Sequence, residues 1–298
     1  MSTPFSNIGA KIINKNGCDT LECTMEPGAS LITNQDAMCY MEGGIVTKAT
    51  TGSSGIGGMF RRAITDSSFF QNAVTNAASV KQTIVLSPLM QGSIVEIVIQ
   101  PGETWRFANK TFLACSPNLQ VSGNLNIFRN FRMSLVNGNF TYVTITAPTE
   151  VGVVWVSGYG GITKHEIIVG INSIPLLINN GYFLGMLDKT NTIDYWKDYT
   201  TLTTPGGLFS SFMTDIGFVM KVGEKNSSKP LRDGKVVCTV YTQTLNPHAF
   251  EKYIEGIAKR ESGGTSVKGE VAEGVATGIF SLFSGGRRRT RRINRRKR

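Results

Sequence analysis

Three stretches of this chain carry one pattern, and that internal repeat limits the fold more than any other feature. The first is Leu21-Glu22-Cys23-Thr24-Met25-Glu26-Pro27-Gly28-Ala29-Ser30-Leu31, running on to Ala37-Met38-Cys39-Tyr40. The second is Val95-Glu96-Ile97-Val98-Ile99-Gln100-Pro101-Gly102-Glu103-Thr104-Trp105, running on to Thr111-Phe112-Leu113-Ala114. The third is His165-Glu166-Ile167-Ile168-Val169-Gly170-Ile171-Asn172-Ser173-Ile174, running on to Gly181-Tyr182-Phe183-Leu184. Set on Gly28, Gly102 and Asn172, the glutamates Glu22, Glu96 and Glu166 fall in one column, at spacings of 74 and 70 residues.

Each stretch is a β-rich run, a turn and a second β-rich run. Pro followed by Gly is the signature of a type II turn, because Pro presets the first central residue and Gly accepts the left-handed second one; Asn also tolerates that place. A polar break, Asn34-Gln35-Asp36 or Asn179-Asn180-Gly181, then leads to a third strand. Further strands are expected at Ile84–Leu86, Tyr142–Ala147, Val151–Val156, Phe218–Val222 and Val236–Thr244. Short strands without helices between them predict an all-β fold. Three pseudo-repeated units form a sandwich or barrel-like body in pseudo-threefold packing, each covering its neighbour's open edge.

Composition agrees. Charged residues are 17% and glycines number 33 in 298 residues, which suits tight turns between strands and not disorder. The five cysteines, Cys18, Cys23, Cys39, Cys115 and Cys238, are odd in number and none are spaced CxxC. The start, Met1-Ser2-Thr3-Pro4-Phe5, has neither a basic segment before an apolar run nor an Arg-rich amphipathic pattern. The expectation is therefore reduced, mostly buried thiols and no secretory signal or mitochondrial transit peptide. It places the protein in the cytoplasm or nucleus, a virion included. No apolar stretch reaches the ~18–20 residues that span a bilayer.

Two motifs go further. Met25-Glu26-Pro27-Gly28-Ala29-Ser30-Leu31 through Ala37-Met38-Cys39-Tyr40-Met41 resembles the opening motif of the altered-inheritance-of-mitochondria 24 family. Gly55-Ile56-Gly57-Gly58-Met59-Phe60-Arg61-Arg62, followed by Ser68-Phe69-Phe70-Gln71-Asn72, is similar to its next motif. The resemblance covers residues 12–245. It implies a fold like that of the tryptophan RNA-binding attenuation protein, built three times over, and no established enzymatic activity. Thr65-Asp66 stands where the family usually has Gly-Glu, and the third repeat lacks the Pro-Gly turn.

Chemistry is sparse. Gly52-Ser53-Ser54-Gly55-Ile56-Gly57-Gly58 is followed by Met59-Phe60, whereas a phosphate-binding loop needs Lys-Ser/Thr there. It reads as a connector. The glutamate column is either a carboxylate cluster around the threefold axis or an outward strand position copied by duplication, and the second reading is preferred. His165 and His248 have no His or Cys at zinc-ligand spacing, and no Gly-x-Ser-x-Gly elbow occurs. Trp105, Trp155 and Trp196 read as core or rim aromatics. No catalytic residue, metal or cofactor is expected, and the protein is read as a non-enzyme.

The C-terminal arm differs from the body. Residues 1–11 form an N-terminal extension, 12–245 the triplicated β domain, and 246–261 a helix opening at Asn246-Pro247, with Phe250, Ile254 and Ile257 on one face. Residues 262–286 form a hinge and a weak amphipathic helix carrying Val271, Val275, Ile279 and Leu282. Residues 287–298 contain nine cations: Arg287, Arg288, Arg289, Arg291, Arg292, Arg295, Arg296, Lys297 and Arg298. The chain has 31 basic and 21 acidic residues, net +10, so removing those nine leaves about +1. A dense cation on a nearly neutral body calls for a polyanion. Arginine favours phosphate, since its guanidinium binds bidentately. The sequence therefore predicts a structural or scaffold protein whose tail binds nucleic acid non-specifically, as a virion or packaging component would. Its body would self-associate or bind protein partners. The rival is a peripheral membrane or organelle-organising adaptor anchored on anionic lipid by 271–298.

Overall fold

In the computed structural model of the chain, the residues described are 7–15, 17–50, 71–89, 91–108, 111–124, 142–169, 174–203, 219–224 and 236–247, with 249, 250, 253, 254, 256 and 257. The Pro-Gly turns behave as their chemistry requires. Gly28 and Gly102 have φ of 77° and 80°. Ala29 N–H donates to Glu26 O at 3.0 Å and Glu103 N–H to Gln100 O at 2.9 Å, closing each turn. Asn172 lies outside the described residues.

A first strand, β1 (Ile8–Lys15), opens the body four residues before the boundary read from the sequence. Six strands per unit follow. Unit one holds β2 (Cys18–Met25), β3 (Ser30–Asn34), β4 (Met38–Met41), β5 (Ile45–Thr50), β6 (Gln71–Asn76) and β7 (Gln82–Leu86). Unit two holds β8 (Gly92–Ile99), β9 (Thr104–Ala108), β10 (Phe112–Cys115), β11 (Gln120–Asn124), β12 (Tyr142–Thr146) and β13 (Gly152–Tyr159). Unit three holds β14 (Ile162–Val169), β15 (Leu176–Asn179), β16 (Phe183–Lys189), β17 (Thr200–Thr203), β18 (Val219–Val222) and β19 (Val236–Gln243). One helical turn, α1 (Tyr195–Asp198), is capped by Asp194, whose side chain accepts from Lys197 N–H.

The three units pair their strands identically. In each, the first and third strands flank the sixth, and the second and fourth flank the fifth: β2-β7-β4 with β5-β6-β3, β8-β13-β10 with β11-β12-β9, and β14-β19-β16 with β17-β18-β15. Each third strand also skips one residue at the same place: between Met38 and Tyr40, between Phe112 and Ala114, and between Phe183 and Gly185. Such a bulge bends a strand and raises its twist.

Units join by pairing the second strand of one with the third strand of the next. β3 pairs with β10, and β9 with β16, both antiparallel. Two six-stranded sheets result, β5-β6-β3-β10-β13-β8 and β11-β12-β9-β16-β19-β14. The core follows these joints. One cluster mixes Leu21, Met25, Leu31, Ile84 and Leu86 with Leu113, Val153 and Trp155, across units one and two. The other mixes Ile97, Phe107, Val154 and Val156 with Phe183, Met186, Cys238 and Val240, across units two and three. Strand β13 is buried along its whole length, sending alternate residues to the two clusters. That accounts for the unbroken apolar run Gly152-Val153-Val154-Trp155-Val156.

The turns give a graded test. A Cβ at Gly28 meets open space, so Gly28→Ala should cost only left-handed strain, ~1–2 kcal/mol. A Cβ at Gly102 would overlap the side chain of Asn191, so Gly102→Ala should cost at least as much. Denaturant unfolding of both variants checks the order; a stability equal to wild type for either would contradict the turn geometry.

Candidate functional site

The nine tail cations, Arg287 to Arg298, lie outside the described residues, as do the glycine loop 52–58, Arg61-Arg62 and the apolar stripe 271–282. The chain divides into two units, 1–247 and 248–298. In the second, residues 249, 250, 253, 254, 256 and 257 are helical, and Phe250, Tyr253 and Ile254 are exposed. What can be built in atomic detail belongs to the body.

The glutamate column is only partly a column. Glu22 pairs with Val85 and Glu96 with Trp155. Counted from the shared bulge, the matching position of the sixth strand in unit three is Tyr241. Its partner on β14 is Lys164, and Glu166 sits two residues further along. The third carboxylate is thus displaced, and Lys164 and Glu166 instead pair with each other at 2.7 Å. That hydrogen bond from Lys164 holds the Glu166 carboxyl below its usual range. Glu22 and Glu96 remain close enough to act on the thiol between them. Burial first, and then these two charges, push the Cys23 thiol up to about 12. Glu96 Oε2 also accepts from Trp155 Nε1 at 2.9 Å. A raised thiol is a poor nucleophile, so this is an inert buried cysteine beside a hydrogen-bonded carboxylate.

Of the two histidines only His165 is among the described residues. His165 Nε2 lies 2.8 Å from Thr242 Oγ1, a cross-strand contact. His248 is outside the described residues. Among the described residues, no group of three or more His, Cys, Asp or Glu could hold a metal ion. Trp105 and Trp155 are buried, and Trp196 packs against the core.

A cluster that sequence reading missed sits at the joint between units two and three. Arg106 of β9 donates from Nε and Nη2 to Asp188 Oδ2, at 3.2 and 2.9 Å. Its guanidinium lies over the Trp196 ring at 4.4 Å and near the Tyr142 ring at 5.7 Å. Burial raises the Asp188 carboxyl, and the facing Arg106 only partly opposes this. The partners are 82 residues apart, and no local pattern marks them. At the first joint the position of Arg106 is held by Ile32, since Cys115 faces Ile32 as Met186 faces Arg106. The cluster therefore pins one joint and is absent from the other.

Triplicated strand pairing and joints in one register define a repeat-built all-β protein. The chain belongs to the family described as mitochondrial biogenesis AIM24, whose profile matches residues 10–223. Residues 224–298, which include β19 and the basic tail, lie outside that match. The chain is also similar to the crystal structure of a Streptococcus pyogenes protein solved in a structural-genomics programme. The TM-score is 0.60 and the identity 17%, covering 84% of this chain and 99% of that one. At that identity the likeness speaks for the fold alone. Among curated proteins the chain has no significant match.

Two measurements test this geometry. Cys18 and Cys39 are exposed, while Cys23, Cys115 and Cys238 are buried with thiols raised by that burial. A thiol reagent near pH 8 should label two cysteines in the native protein and all five after unfolding; fast labelling of a third would contradict the packing. Asp188→Ala removes the carboxylate that faces the half-buried Arg106 and should cost ~2–3 kcal/mol. Arg106→Leu combined with Asp188→Leu should recover most of that loss, as Ile32 already does at the first joint. A double variant no more stable than Asp188→Ala would show that the pair is needed for more than its charges.

Proposed function

We propose that this protein is a non-enzymatic β scaffold whose terminal tail, Arg287–Arg298, holds nucleic acid without sequence preference. One observation carries the reading: nine of the twelve last residues are cationic, on a body of about +1. Eight arginines to one lysine favour phosphate. No aromatic residue is interleaved with them, so stacking on bases contributes nothing and the contact is to the backbone. A structural or packaging component, a virion protein included, needs this combination of an assembling body and an arm that reaches a polyanion. The cytoplasm, the nucleus or a virion is its proposed place.

A second reading rests on a separate observation. Val271, Val275, Ile279 and Leu282 precede the arginines, and an apolar helix followed by cations can lie on an anionic membrane. The family's description, mitochondrial biogenesis, suits such an organelle-organising adaptor. Among the described residues no helix is long and apolar enough to cross a membrane.

Salt separates the two. Binding by phosphate neutralisation releases counterions, so affinity falls with a slope of ~0.9 per phosphate contacted. With roughly five to nine contacts, a fourfold rise in salt should weaken duplex binding by about 10³-fold or more. A chain ending at Gly286 should lose most of its affinity. Equal affinity with and without the tail would refute the reading. Tighter binding to anionic vesicles than to duplex, abolished by Ile279→Asp with Phe280→Asp, would establish the membrane anchor instead.

A further inference from the structure

Three units that each join the next allow a third joint, from the last back to the first, and among the described residues the chain makes two. Both follow one register. At the first, Thr33 faces Ala114 and Ile32 faces Cys115; at the second, Phe107 faces Gly185 and Arg106 faces Met186. The third joint would pair β15, the second strand of unit three, with β4, the third strand of unit one. Among the described residues both strands end their sheets, in the orders β1-β2-β7-β4 and β15-β18-β17.

These two edges carry the wrong surface for solvent. At the made joints the counterparts of Met38 are Phe112 and Phe183, each 1% exposed. On β4, Met38 is 47% and Tyr40 56% exposed, although the counterpart of Tyr40 at the first joint is Ala114, at 0%. On β15, Leu177 is 53% exposed. Of the other edges, β1, β5, β8 and β14 carry charge (Lys11, Lys48, Glu96 and Lys164), which discourages strand addition, while β11 and β17 carry none but consist mainly of Gln, Ser, Asn and Thr. Met38-Cys39-Tyr40-Met41 and Leu176-Leu177-Ile178-Asn179 carry none.

We propose that β15 of one copy pairs antiparallel with β4 of a second copy, repeating between chains the joint that the chain makes twice within itself. The register follows from the internal joints. Val222 of β18 matches Ile145 of β12 and Val74 of β6 as the partner of Leu176, Trp105 and Leu31. Tyr40 then faces Ile178, and Met41 faces Leu177. Every copy offers one edge of each kind, so association is head to tail, closing into a ring or continuing as a chain according to the rotation between copies. A body of about +1 presents little repulsion to stacking. The inference concerns the body alone and does not depend on what the tail binds.

The test uses the full chain, nuclease-treated and in high salt, so that tails cannot bridge copies through a polyanion. In a Cys18→Ser, Cys39→Ser background, one protein carries Met41→Cys and another Leu177→Cys. A short bis-maleimide should yield a covalent dimer from their mixture and not from either protein alone. A mixture without dimer, with the two cysteines reacting inside one chain when placed together, would mean that the third joint closes internally and would overturn the proposal. Tyr40→Lys with Leu177→Lys should weaken self-association by about tenfold or more while leaving the melting temperature unchanged. A native mass of 32.4 kDa for the unsubstituted chain at every attainable concentration would overturn it as well.

Discussion

Everything in the body depends on the antiparallel joint between the second strand of one unit and the third strand of the next. A single unit has two three-stranded sheets, each with an apolar face and free edges. The apolar face of such a sheet has to be buried against another layer. The joint fuses them into six-stranded sheets and places the two core clusters on either side of the β13 sheet. Carrying the units on one chain makes the two joints intramolecular, so pairing needs no encounter between molecules. The bulge repeated at Met38/Tyr40, Phe112/Ala114 and Phe183/Gly185 belongs to the same device, because it re-aims the third strand toward the incoming neighbour.

Which features were legible in the sequence follows from how locally each is determined. The Pro-Gly turns at Gly28 and Gly102 could be read because their stereochemistry is decided within four residues. The strands β7, β12, β13 and β19 could be read because buried strands are short apolar runs between turn residues. The third glutamate was misplaced for the opposite reason. The β14–β19 ladder extends two residues beyond the point where β8–β13 stops, counting from the shared bulge, so equal spacing from the turn did not mean equal height in the sheet. Register comes from pairing across the sheet, and one sequence does not display it. Arg106 and Asp188 were invisible for the same reason, joined only through β9 and β16.

The half-buried Arg106 also shows how duplicated joints diverge. One position in equivalent strands is Ile32, Arg106 and Leu177. Where it is Arg106, an acidic partner and an aromatic face had to be supplied together by β16 and α1. Where it is Ile32, the joint is apolar and needs neither. Breaking a buried pair costs more than never having it, so such a pair persists once both members are present. Leu177 belongs with the apolar version, which suits it to an apolar counterpart such as Met41.

On the two proposals, body and tail bear on each other through valency. A tail bound by phosphate neutralisation has modest affinity per copy and dissociates readily as salt rises. Joining copies through their edges would add tails without adding contacts per tail, and avidity grows with the number held together. On the two proposals taken together, the neutral body is a consequence of this arrangement. A strongly basic body would gain nothing from assembly, since each copy would hold the polyanion alone and repel its neighbours. Concentrating nine cations in the last twelve residues, and leaving the β4 and β15 edges without charge, would separate the two proposed tasks in sequence. Edge pairing is set by apolar contact and backbone hydrogen bonds and persists in salt, whereas tail binding does not. Raising the salt would therefore strip nucleic acid from an assembly while leaving the assembly intact.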